Sequence, residues 1–182
     1  MRKQLKAIIQ RERELYLPQA KTRKARFMAR FMHEESYEIF RWIKHLRMAE
    51  YYGSHTRTLF DKIRCVLHAR KMCILGNRLG FFISTGCLGK DVLVHHKGDI
   101  IINYRSVIGD GCRLHGDNCI GNNGKDTACP VLGKNVDVGV GAKIIGGVTI
   151  ADDIIIGANA VVTKSFLEPG ITIAGVPARK IK

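Results

Sequence analysis

From residue 88 onward, aliphatic residues return every six positions. They fall at Leu88, Val94 and Ile100, resume after an offset of eight at Ile108, Leu114 and Ile120, and continue after a gap of twelve at Leu132, Val138, Ile144, Ile150, Ile156 and Val162. A small or apolar residue often stands four places later, at Val92, Cys112, Val136, Ala142, Val148, Ile154 and Ala160. Glycine often follows the aliphatic position directly, as in Ile108-Gly109, Leu132-Gly133, Val138-Gly139 and Ile156-Gly157. A fixed short period is the mark of a solenoid, and a period of six points to a β-helix rather than an ordinary antiparallel β domain. Each hexapeptide supplies one short strand and one tight corner. The aliphatic residue and the small one after it face inward and stack on their counterparts one coil away. Gly, Asn and Asp provide the backbone angles that the corners require.

The rest of the chain is a different kind of polymer. Residues 1–75 hold 18 Lys and Arg against 7 Asp and Glu, so +11 of the net charge of +14 lies there. Gly53 is the one glycine among them, and the other 18 glycines lie from Gly76 onward. Strong helix formers and three- and four-residue apolar spacings predict helices: Phe27, Phe31 and Met32, then Ile39, Ile43 and Leu46, then Leu59, Ile63, Val66 and Leu67. Tyr51, Tyr52 and Gly53 read as a break between the last two runs. The expected organisation is therefore a basic α-helical region over 1–83, a β-helix over 84–164 and a C-terminal tail over 165–182. The charge invites a nucleic-acid reading, but no recognised binding motif accompanies it. A helical cap with a solvated basic face is the leading reading, and docking to a partner or a membrane surface is the alternative.

No apolar run is long enough to span a bilayer, and the first residues are charged throughout, without the apolar stretch of a signal peptide. A cytoplasmic chain follows as the expectation. Six cysteines without a CxxC pair then read as reduced thiols, most of them structural and buried. Between Ile120 and Leu132 the segment GNNGKDTACPV interrupts the repeat and is too polar and Gly-rich to stay within a coil, so 121–131 is expected to be an external loop.

The hexapeptide pattern, together with GVGAKIIGGVTIADDIIIGANAVV, the C-terminal AGVPARKIK and the histidine-bearing VHHKGDIII, resembles the hexapeptide-repeat acyltransferases. Within them it resembles the serine acetyltransferase branch, and most closely the short O-acetyltransferases of polysaccharide clusters such as the colanic-acid type. The resemblance covers about residues 84–182. It implies a left-handed parallel β-helix with an N-terminal α-helical domain, a homotrimer with active sites between adjacent solenoids, and direct acetyl transfer from acetyl-CoA to a hydroxyl.

An unassisted hydroxyl is a poor nucleophile near pH 7, and histidine, with an ordinary pKa near ~6.5, suits the role of base. His96 matches the motif position of the catalytic base, just before the Gly-containing corner that leads into an aliphatic strand. His115, at another corner, is the second candidate. His95 stands where the serine enzymes tend to have an aspartate. The carboxylate that pairs with the catalytic histidine about one coil upstream has no match in GFFISTG, and neither Asp91 nor Asp99 fits that position.

By the same resemblance Asn122 opens the loop that lines the acceptor and coenzyme site. The pantetheine arm is expected near Val140, Gly141 and Ala158, with Lys164, Arg179 and Lys180 as phosphate partners. Serine acetyltransferases carry a basic residue and a histidine before the loop's proline, where this chain has Ala128 and Cys129 before Pro130. That loss tilts the expected acceptor toward a sugar or polysaccharide hydroxyl, with serine as the alternative and a non-catalytic basic binding module as the rival from another class. Nothing nearby activates Cys129 as an acyl carrier. The adjacent His95–His96 pair is poorly spaced for the zinc of a carbonic-anhydrase-type solenoid, so no metal is expected.

Overall fold

The computed structural model describes residues 2–182, the side chain of Arg2 excepted. The chain divides into two compact units, Met1–Leu79 and Gly80–Lys182.

Among the described residues the first unit has four helices: α1 (Arg2–Tyr16), α2 (Arg23–Phe31), α3 (Glu35–Ser54) and α4 (Leu59–Leu79). Thr22 caps α2, its hydroxyl accepting from the Ala25 N–H, as an N-terminal β-hydroxy residue does. The core gathers on α3, where Ile39, Trp42, Ile43 and Leu46 are fully buried. Within this core Arg47 Nε donates to Glu12 Oε1 at 2.9 Å, and Arg47 Nη1 reaches Glu50 at 3.1 Å. Among the described residues no helix is long and apolar enough to cross a membrane.

The helices depart from expectation in two places. The break expected at Tyr51–Gly53 falls later, because Tyr52 packs inward with its ring stacked on His68, which keeps α3 helical. The helix ends where Ser54 and Thr56 donate their hydroxyls to the carbonyls of Glu50 and Tyr52. The apolar spacings are helical, but two of the three runs face outward. Phe27, Phe31 and Met32 are 64%, 67% and 64% exposed, and Leu59, Ile63, Val66 and Leu67 are exposed as well. The buried side of α2 is carried by Ala29.

α3 and α4 also share a titratable contact. His45 Nδ1 and His68 Nδ1 lie 2.8 Å apart, so one ring must be neutral to accept from the other. Burial, then the neighbouring His68 and cations led by Lys71, push His45 down to about 4, and burial also lowers His68. Both imidazoles therefore take up protons more readily in the unfolded chain. Their contribution to stability is complete above about pH 6.5 and is lost progressively as pH falls toward about 4. The expected result is a helical melting temperature that drops between pH 7 and pH 4, with a shallower drop in His45→Gln, read by circular dichroism at successive pH values.

The second unit is a parallel β-solenoid. One sheet orders β1 (Phe81–Ile83), β3 (Ile100–Ile102), β6 (Cys119–Gly121), β9 (Lys143–Ile145) and β12 (Val161–Val162). A second orders β10 (Thr149–Ile150), β7 (Val131–Leu132) and β4 (Val107–Ile108). A third runs from β2 (Leu93–Val94) through β5 (Arg113–Leu114), β8 (Asp137–Val138) and β11 (Ile155–Ile156) to β13 (Thr172–Ala174) and β14 (Arg179–Lys180). All pairings are parallel except the last, and each of the three middle coils gives one short strand to each sheet. All twelve aliphatic repeat positions are buried, and so are the seven positions four residues later. Residues 122–130 leave the coil between β6 and β7, mostly exposed.

The solenoid exceeds its expected bounds at both ends. Phe81–Ile83 already pairs with Ile100–Ile102. At the other end, Phe166 bridges to Ile150, and β13 extends the third sheet as a parallel neighbour of β11. β14 then folds back antiparallel on β13 and covers an edge that would otherwise be open. Residues 165–182 are thus largely part of the coil rather than a tail. The six cysteines are free: Cys87 and Cys112 are buried, Cys73 is exposed, and Cys65, Cys119 and Cys129 are half-buried, fewer buried thiols than expected.

A histidine corner as the candidate active site

The corner that follows the third sheet's strands is built by a backbone ladder running along the coil axis. The N–H groups of His95, His115, Gly139 and Gly157 donate to the carbonyls of Leu114, Val138, Ile156 and Ile173 at 2.8–3.2 Å. These four residues therefore hold equivalent places on successive coils, about 4.8 Å apart. The next places hold His96, Gly116, Val140 and Ala158. Asn118, buried, clamps two coils together: its Oδ1 accepts from Gly116 N at 3.2 Å and its Nδ2 donates to Gly139 O at 2.9 Å.

That stacking sets the chemistry. His95 and His115 lie face to face, with ring centroids 4.2 Å apart and planes 9° from parallel. His115 Nε2 lies 2.8 Å from Asp137 Oδ1, both side chains about one-third exposed. Asp137 is on β8, in register with Arg113 on β5, whose Nη1 stands 3.8 Å from the other carboxylate oxygen. If the Asp137 carboxylate holds the Nε2 proton, His115 Nδ1 is the bare, proton-accepting nitrogen. Burial lowers the His95 pKa, the nearby His115 adds to the shift, and the buried Nε2 of His95 has no hydrogen-bond partner. His96 is exposed, its ring 6.3 Å from that of His95.

Beyond the histidines the same corner becomes poor in side chains. Gly139, Gly141, Gly157 and Ala158 leave a shallow strip, beside which Val140 is half exposed. Glycine is required at 141, where φ is +74° and an added Cβ would fall 2.1 Å from Asn159 Oδ1. The structure thus aligns His96, His115, Val140, Gly141 and Ala158 on one corner.

The remaining candidates lie elsewhere. Asn122 follows β6, at the corner between the first and second sheets, where its amide donates to the Asp126 carbonyl at 3.0 Å and ties the external loop. Lys164 follows β12 at that second corner, its ammonium 5.4 Å from the centre of the Phe166 ring. Arg179 is exposed on β14, and beside it Lys180 is held by both oxygens of Glu168 at 2.7 Å. Among the described residues no group of three His, Cys, Asp or Glu side chains converges as a metal ion requires. Burial pushes the Cys112 thiol up to about 11, which leaves it inert at neutral pH.

Sequence reasoning missed Asp137 and Asn118. The signal for Asp137 was the register: the external loop lengthens that coil, so Arg113 pairs with residue 137 rather than with one eighteen positions on.

No family model matches the chain. Among curated proteins, the serine acetyltransferase of Helicobacter pylori strain J99 is 32% identical over 142 residues, covering 72% of this chain and 82% of that protein. The serine acetyltransferase of Synechococcus elongatus is 32% identical over 96 residues, 52% of this chain, and the match spans only 39% of that longer relative. Among solved structures, serine acetyltransferase from Brucella abortus in complex with coenzyme A superposes with a TM-score of 0.71 at 21% identity, over 97% of this chain and 67% of that one. This chain belongs to the serine acetyltransferase family, whose hexapeptide-repeat acyltransferase fold it shares.

Proposed function

We propose that this chain transfers an acetyl group from acetyl-CoA directly to an acceptor hydroxyl, in the cytoplasm, as a homotrimer of left-handed solenoids. The observation that carries the reading is the corner on which paired imidazoles run into a strip of glycine and alanine. His96, in the position that the resemblance gives to the base, removes the hydroxyl proton as that oxygen attacks the thioester carbonyl. The tetrahedral intermediate expels the coenzyme thiolate, which takes the proton back from the imidazolium. The pantetheine arm follows Val140, Gly141 and Ala158, and coenzyme phosphates meet Lys164 and Arg179, with Lys180 available once it leaves Glu168. Asn122 keeps the external loop closed over the acceptor.

His115 is the second acid–base group, oriented by Asp137 so that Nδ1 accepts. Asp137→Asn is expected to lower kcat at least about tenfold, with His115→Gln no better and the double variant no worse than either, since the two act as a unit. Steady-state kinetics of the three variants checks this.

The relatives' names support L-serine as the acceptor over the sugar first expected. A sugar hydroxyl stays as a second reading for one reason: Ala128 and Cys129 offer no charge to an amino acid's carboxylate, as the family's basic residue and histidine would. Mass spectrometry of acetyl transfer to L-serine, nucleotide sugars and lipid-linked sugars decides between them. O-acetylserine as the dominant product supports the first. An acetylated sugar with serine inert supports the second, and no transfer to any hydroxyl overturns both.

A further inference from the structure

Residues 15–33 carry Lys21, Arg23, Lys24, Arg26 and Arg30 and no acidic residue. None of these five cations pairs with a carboxylate among the described residues; Arg26 donates instead to the Lys21 carbonyl at 3.2 Å. Interleaved with them on α2, Phe27 and Phe31 stack with centroids 6.3 Å apart and point outward, with Met28 and Met32 beside them. The helix lies on its unit by its alanine side, so the phenylalanines, the methionines, Arg23, Lys24 and Arg30 are turned to solvent, with Arg26 half-buried. At its N-terminal end opens a cavity of about 570 Å³, lined by Arg13, Lys21, Arg26, Gln10 and Glu14 among others. Glu14, the acid in that lining, is bonded by the Gln10 amide at 2.5 Å, and Arg13 donates to Gln10 Oε1 at 2.9 Å.

We propose that α2 is a docking surface for an anionic phospholipid bilayer, with Phe27, Phe31 and the two methionines at the acyl boundary and the cations at the plane of the phosphates. The cavity gives one headgroup phosphate a place beside Lys21 and Arg26. An apolar cluster with cations on its flanks is the pattern of an interfacial helix. A second copy of the chain fits poorly, because a symmetric pairing would bring ten unpaired cations together. Nucleic acid would satisfy the charge but leave Met28 and Met32 without a role, whereas an acyl boundary accepts irregular aromatic and thioether side chains alike.

Co-sedimentation of the full chain with vesicles tests the surface. Binding is expected to vesicles of equal parts phosphatidylglycerol and phosphatidylcholine, not to phosphatidylcholine alone, and to be lost at about 0.5 M NaCl. Arg23→Gln/Lys24→Gln/Arg26→Gln should weaken it about 10²-fold, at about fivefold per charge, and Phe27→Ser/Phe31→Ser at least about tenfold. Apart from the half-buried Arg26, these side chains lie on the helix's exposed surface, and an unchanged circular dichroism spectrum verifies folding. The proposal is overturned by failure to bind the anionic vesicles, or by binding that neither variant weakens. It is overturned equally if Phe27→Ser/Phe31→Ser alters the oligomeric state without lipid, which would make this face a contact between copies. Tighter, variant-sensitive retention on single-stranded RNA than on the vesicles would likewise reassign it.

Discussion

His96→Ala is expected to lower kcat for acetyl transfer by ~10²–10⁴ while changing neither the melting temperature nor the oligomeric state. The ring is exposed at the corner after β2, and the strand is held by buried Val94 and by the backbone ladder, so truncation removes chemistry and little packing. The KM for acetyl-CoA should change little, because the strip expected to hold the coenzyme lies two and three coils further on. An unaltered kcat would remove His96 from the mechanism and leave His115, the imidazole that has a carboxylate, as the base. A combined His96→Ala/His115→Gln variant then measures how far each ring covers for the other. A residual rate in the double variant equal to that of His96→Ala alone would mean that His115 does no acid–base work.

The largest effect on stability is expected at Arg47. Its side chain is 8% exposed, and its Glu12 partner is fully buried. Arg47→Ala leaves the Glu12 carboxylate in an apolar interior without its guanidinium and should cost ~3–5 kcal/mol. Such a pair contributes little net stability once desolvation is counted, so replacing both members behaves differently. Glu12→Leu/Arg47→Leu is expected to recover most of the loss, because apolar side chains of similar reach refill the space between α1 and α3 without burying a charge. Urea unfolding followed at the helical signal separates the two cases. Equal losses in the single and double variants would mean that packing, not an orphaned charge, sets the effect.

The solenoid was legible because its positions are constrained twice, once along the chain and once by the coil above. Leu88 through Val162 had to be aliphatic to stack, and every one of the twelve is buried. The helical unit was less legible. On α2, Phe27 and Phe31 recur at the same spacing as Ala25 and Ala29, and periodicity names a face without saying which way it looks. The hydrophobic rule chose the phenylalanines, whereas it is the alanine face that turns inward. Gly53 read as a break because glycine's backbone freedom carries no sign of the Tyr52–His68 stack that keeps the helix going. At the candidate site, His96 and His115 were visible as residue types at corners. Asp137 was not, since its partnership with His115 depends on the length of the loop between them.

That loop has a consequence of its own. Val107 pairs with Val131, Arg113 with Asp137 and Cys119 with Lys143, each twenty-four residues apart, against eighteen from Lys143 to Val161. The excursion therefore adds one whole hexad, and the strands resume in phase as though nothing had intervened. The loop's own Asn122, Asn123 and Asp126 hold it together by local turns. These turns straddle Lys125 and Asp126, so the excursion is closed by its own side chains while the rungs on either side keep their partners across it.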